Sequence, residues 1–354
     1  MSAIVERLRE DEKLRGRLIV LAVMVLILAV VLFLLIRKMD ERSEIVGGSF
    51  SFLASIHGLN TPLGVGTDAD ARIYVSNTAS GEVIVYDQDG IEVRKLNDAR
   101  DQNGEILRFY SPKGIAVDNE TEKLYVCDYN WRGVRVFTKA GDFLYNLPRD
   151  PNDIPLDPEY GFAPYDVAVG KDRVYVVSKD GIYVFDSQGA YLDHWGTRGN
   201  QVGQYDFPNG IAVDRESGNI FVADSNNRRV VSLTGDGSVR WILGTETLES
   251  AVSVFELPRS VAVGPDGLVY VADVLTHRIF VIDQDGNLVS AFGERGTADG
   301  QFNFPESLAV AANGRMYVAD RANNRVQIWQ LDNKSMPEPT RAEAARFKDY
   351  LHRF

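Results

Sequence analysis

The 354-residue chain has a single cysteine, Cys127, only four histidines, and 38 basic side chains against 50 acidic ones. A lone cysteine excludes a fold stapled by internal disulfides. The net charge of −12 argues against a surface built to neutralise nucleic-acid phosphates. No P-loop, nucleophile elbow or paired haem-attachment cysteines occur. What the chain does have is 45% hydrophobic residues, enough for a core, and 31 glycines that point to many tight turns.

Charge is missing altogether from one stretch, Leu18 to Ile36, which is apolar throughout between Arg17 and Arg37. As a helix it would be roughly 28 Å long, close to the hydrocarbon thickness of a bilayer. A cleaved signal peptide has a shorter apolar region followed by small residues, whereas this one runs into Arg37-Lys38-Met39-Asp40. The expectation is therefore an uncleaved signal anchor over 18–36. Arg7, Arg9, Lys13, Arg15 and Arg17 precede it and Arg37, Lys38 and Arg42 follow, which favours a cytoplasmic 1–17 and an extracytoplasmic remainder in the cell membrane. Residues 45–354 carry 43 acidic and 30 basic side chains. The linker 37–48 reaches at most about 40 Å.

The rest of the chain repeats. Units open at Pro62, Pro112, Pro164, Pro208, Pro258 and Pro305, as in PNGIAVDRESGNIFVADSNNRRVVSL and PRSVAVGPDGLVYVADVLTHRIFVI. Each holds three short apolar runs separated by polar turns, and a fourth alternating run follows, as in AYLDHWG. Period-two runs punctuated by Asp, Gly and Asn are strand and turn signals. Six units of four strands predict an all-β, six-bladed propeller over 49–331. The last unit stops at its third strand, Val326 to Leu331, and Ser49 to Ile56 (SFSFLASI) is expected to supply the missing fourth. That closure removes two sheet edges.

The pattern P-x-G-I-A-V-D…Y-V-A-D-x-x-N-x-R-V, with GTRGNQVGQYDFP and GERGTADGQFNFP ahead of two copies, resembles NHL repeats. The resemblance implies the propeller fold and leaves function open. Similar propellers serve as extracellular sensors, bind RNA, or act as an amidating lyase through metal-bound histidines. WD-repeat signatures are absent.

The repeated pairs Asp224 with Arg229, Asp273 with Arg278 and Asp320 with Arg325 are expected to be structural, because a ring has many blades and usually one central site. Cys127 stands where other copies have Ala, so a small buried slot is expected for it. Functional residues are sought where the copies differ. In propellers of this kind the residue after each opening proline and the turn after YVAD lie at one mouth of the channel, and concave mouths favour ligands. This nominates Lys113, Tyr165, Asn209, Arg259 and Glu306 beside Leu63, with Tyr129, Trp131 and Arg132 from the second turn and His277 from the fifth. Aromatics and Arg are the side chains enriched at binding hot spots.

The connection between the second and third blades carries Asp150, Asp153, Asp157 and Glu159 among several prolines. It reads as a solvated acidic loop, a preformed partner surface or, through its carboxylates, a calcium site, although it lacks EF-hand spacing. In the tail 332–354, Thr340 and Glu343 form a capping box and Phe347, Tyr350, Leu351 and Phe354 share one face of a short helix. That helix would pack on the propeller, dock on a partner, or lie on lipid.

Zinc catalysis normally takes three protein ligands, and of His57, His194, His277 and His352 only His277 stands at a channel position. The sequence assigns no catalytic residue, metal or cofactor. The reading is a membrane-anchored extracytoplasmic platform for an envelope protein or a ligand, not for nucleic acid. The alternative is a calcium- or zinc-dependent lyase or lactonase-like enzyme, with Glu306 and Asn209 near its site.

Overall fold

A computed structural model describes residues 49–96, 100, 104–156, 161–244 and 254–332. Leu18–Ile36, the linker 37–48, Asp157, Glu159 and the tail beyond Asp332 lie outside the described residues. Among the described residues the strands form six four-stranded antiparallel sheets and one short parallel pair, Thr197–Arg198 with Gln204–Tyr205. The innermost strands are Pro62–Thr67, Pro112–Asp118, Asp166–Val169, Pro208–Val213, Pro258–Val263 and Pro305–Val310, and each neighbours the next around a closed ring.

The ring closes as expected. Ser49–Ile56 pairs antiparallel with Arg325–Asp332 and becomes the outermost strand of the last blade. Phe52 meets Trp329 edge to face at 5.8 Å, so aromatic packing accompanies the ladder.

The sequence has no single central core to build, and none forms. Buried side chains gather in seams between adjacent blades, each seam drawing on the second and third strands of both. Those strands are buried on both faces, as in Val269–Asp273 and Ile220–Asp224, which is why they read as continuous apolar runs. Outermost strands such as Val239–Leu243 are half-buried throughout. Cys127 is fully buried in the seam between the second and third blades, in keeping with a small slot.

The aspartates that end the second strands clamp the chain entering each blade. Asp128 accepts from the N–H groups of Tyr110 and Ser111, Asp224 from Asp206, Asp273 from Glu256 and Leu257, and Asp320 from Asn303. Asn77 does this for Asn60 and Ser178 for Ala163. The clamped residues lie one or two positions before the opening prolines, so the clamp sets where each inner strand begins. The expected Asp–Arg pairs form in the fourth and sixth blades, Arg229 with Asp224 at 2.8 Å and Arg325 with Asp320 at 2.9 Å. In the fifth blade the pair is not made. Asp273 is filled by backbone N–H groups, two of them from Leu275 and Thr276 in its own turn, and Arg278 donates to the Gly293 carbonyl instead.

A candidate binding site at one mouth of the channel

In five blades the register slips just after the opening proline, between Pro112 and Ile115 and between Pro258 and Ser260 for example. Such a bulge takes one residue out of the ladder and re-aims its side chain. The displaced residues include Leu63, Lys113, Asn209, Arg259 and Glu306, the variable positions of the repeat. In the third blade the strand starts at Asp166, two residues after its opening proline, and Tyr165 donates its N–H to the Val177 carbonyl.

These side chains meet across blade boundaries. The Lys113 ammonium lies 4.5 Å from the Tyr129 ring centroid and 4.3 Å from that of Tyr165, and the two rings are 5.1 Å apart. Lys179 approaches Tyr129 and Phe207 at 5.9 and 5.3 Å. Asn209 donates to the Phe207 carbonyl and to Ser225 Oγ, and its Oδ1 accepts from Arg259 Nη1 at 2.7 Å. Arg259 Nε is 3.8 Å from one oxygen of Glu306, and Arg321 Nε is 3.3 Å from the other.

Burial is the main force on Lys113 and lowers its pKa to about 8, with Glu306 opposing the shift and Arg259 adding to it. A cation held in aromatic walls is stabilised by the ring quadrupoles, and this partly replaces lost water. Next along the wall, Asp166 occupies the slot that Ser260 and Ser307 fill in other blades. All three accept a backbone N–H from the following blade, those of Ile211, Leu308 and Val65. Burial pushes the Asp166 carboxyl up to about 7, against the hydrogen bonds it accepts from the Ile211 and Val167 N–H groups.

The other nominated residues lie elsewhere. The Trp131 ring packs on Gly133 and 4.7 Å from the Arg135 guanidinium, while Arg132 is exposed. His277 is buried, with its ring 4.9 Å from Phe304 and its Nδ1 accepting the Phe304 N–H. Asp150 and Asp153 are exposed, and Asp150 caps the 3-10 turn Pro151–Asp153. Among the described residues no three His, Cys, Asp or Glu side chains gather as a metal site. Glu306 faces two arginines and Asn209 a third contact of the same kind, so a cation there would have to displace guanidinium groups.

Sequence reasoning did not name Lys179, Arg321, Phe207 or Asp166. Lys179 and Arg321 directly follow Ser178 and Asp320 just as Tyr129 follows Asp128. Reading that first turn position in every blade would have found them.

At the opposite end of the inner strands, Arg215 of the fourth blade reaches past the short third-blade turn at Gly170 to Asp118 and Glu120 of the second, both at 3.1 Å. That end carries a cavity of ≈ 290 Å³ lined by Lys171, Arg173, Tyr175 and Arg215 among others.

Comparison with known proteins agrees with this geometry. Residues 255–282 and 302–329 match the NHL repeat, and residues 162–240 match a family described as a 6-bladed beta-propeller, DUF5128. A Bacteroides thetaiotaomicron protein of unknown function is similar in structure, with a TM-score of 0.61 and 17% identity over 81% of this chain and 73% of that one. Hydrazine synthase of Kuenenia stuttgartiensis superposes with a TM-score of 0.51 and 14% identity, covering 77% of this chain and 97% of the other. A streptogramin B lyase gives 0.52 and 14%, covering 80% and 98%. At such identities the likeness is one of fold. No curated protein matches the chain. The chain carries NHL repeats and is a six-bladed propeller.

Proposed function

We propose that this protein is a binding platform held at the cell membrane by Leu18–Ile36, with its propeller outside the cytoplasm and its channel mouth engaging an envelope protein or a ligand. The observation that carries the reading is the meeting of Lys113, Tyr129, Tyr165, Asn209, Arg259 and Glu306 at one end of the inner strands. These are the positions at which the repeat stops repeating, and the bulges turn them away from the ladder. Structural need would favour the same residue in each blade. A cluster of unlike polar and aromatic groups at one end of the inner strands fits recognition.

The test is native co-purification of the full-length protein from its own membranes in mild detergent, with mass spectrometry of what is retained. The expected result is a stoichiometric companion that is lost with Asn209→Ala or Arg259→Ala while the propeller stays folded. A companion retained unchanged by both variants would remove the mouth from the binding surface. Recovery of the protein in the soluble fraction, or a propeller shielded from protease on the outer side, would remove the anchor or its orientation.

A further inference from the structure

The Lys113 ammonium has three N–H donors, and among the described residues neither a hydrogen-bond acceptor nor an ion-pair partner fills them. Its contacts are ring faces. The carboxylate with the greatest effect on it is Glu306, and that group already faces Arg259 and Arg321. Arg259 and Lys179 add like charge around Lys113. The mouth therefore gathers cations on a chain whose residues 45–354 hold 43 acidic against 30 basic side chains. Such a local reversal of sign is a poor choice for stability and a good one for capturing an anion, because clustered cations raise the local potential that an anion meets.

We propose that the mouth takes the carboxylate or phosphate group of an anionic ligand on the Lys113 ammonium, beside the Tyr129 and Tyr165 rings, with Lys179 and Arg259 as flanking charges. This rests on the binding reading above and narrows it to one ligand chemistry. The anion supplies the acceptor that Lys113 lacks, and Glu306 stays with its arginines.

Titration calorimetry of the full-length protein at low salt, with citrate and with inorganic phosphate, tests it. The expected result is saturable one-site binding of at least one anion, weakened about tenfold or more by Lys113→Met, as the loss of a charged hydrogen bond implies. Lys113→Arg keeps the charge and should retain most of the binding. Lys171→Met, an equal loss of charge at the far end of the channel, should leave it unchanged. Binding of citrate alone assigns a carboxylate, and of phosphate alone a phosphate. Absence of saturable binding, or binding unchanged in Lys113→Met, which would mark an adventitious ion only, overturns the inference. A companion protein that is lost with Asn209→Ala but not displaced by either anion would leave the docking reading standing and sink this one. Anion binding at Lys113 without any companion would do the reverse.

Discussion

Asp224 accepts the backbone N–H of Asp206 at 2.9 Å, while its other oxygen takes Arg229 Nε at 2.8 Å. One buried carboxylate thus fastens the chain entering the blade and neutralises a guanidinium that has 2% side-chain exposure. Asp224→Ala leaves that charge unpaired, and breaking a buried pair costs about 3–5 kcal/mol. Ser178 performs the same clamp on Ala163 with a neutral hydroxyl. Ser178→Ala should cost only about 1–2 kcal/mol. Urea unfolding of the two variants would check the ranking, and equal losses would show that the pair with Arg229 adds nothing.

The fifth and sixth blades are latched by His277 Nδ1, which accepts the Phe304 N–H at 3.2 Å. Asn324 Oδ1 holds the Thr61 N–H in the same way one blade later. Accepting requires a neutral ring nitrogen, and burial, then Arg295, lower the His277 pKa below its ordinary 6.5. Between the folded and unfolded values the unfolded chain binds more protons, so stability falls as pH drops below about 6.5. His277→Asn should preserve the latch and flatten that part of the profile of melting temperature against pH. An unchanged slope would place the acid sensitivity elsewhere.

Lys113 and Asp166 tilt the stability profile in opposite senses. The folded-state pKa of Lys113 is lowered from 10.5 to about 8, so its cost is present below about pH 8 and is relieved as pH rises toward 10.5. The Asp166 carboxyl is raised from 3.8 to about 7, so stability is lost as pH rises across that interval. Asp166→Ser, the residue of the equivalent slot in two other blades, keeps an acceptor for the Ile211 N–H. It should stabilise the protein above about pH 7 and change little near pH 4. Stability curves at those two conditions decide it, and a loss at the higher pH would show that the carboxylate is needed for more than that hydrogen bond.

Ring closure depends on Ser49–Ile56. Deleting residues 1–56 leaves Arg325–Asp332 as an open edge, a template for pairing with other chains. The truncated protein should melt earlier and self-associate, as read by light scattering. The milder Phe52→Ala removes one half-buried ring from Trp329 and should cost about 2 kcal/mol. A monodisperse truncation of undiminished melting temperature would mean that closure is not what holds the last blade.

The spacing of the opening prolines, the Tyr-Val runs and the SFSFLASI strand are enough in the sequence alone to determine the blade number and the mode of closure. Strand alternation and turn chemistry are local, and six copies of a local pattern leave few ways to bury the two-faced middle strands except against one another. The same repetition made the mouth positions legible, since Lys113, Asn209, Arg259 and Glu306 are departures from a readable template. What the sequence did not contain was which departures touch. Lys113 belongs with Tyr165, and Asn209 with Arg259, only because inner strands some fifty residues apart lie side by side around the ring. The unmade pair of Asp273 and Arg278 carries the same lesson. Identical residues at identical spacing found different partners, because nearby backbone N–H groups filled the carboxylate. Tertiary structure decided the contacts because hydrogen bonds and ion pairs depend on distances of a few ångströms between segments that the chain order leaves far apart.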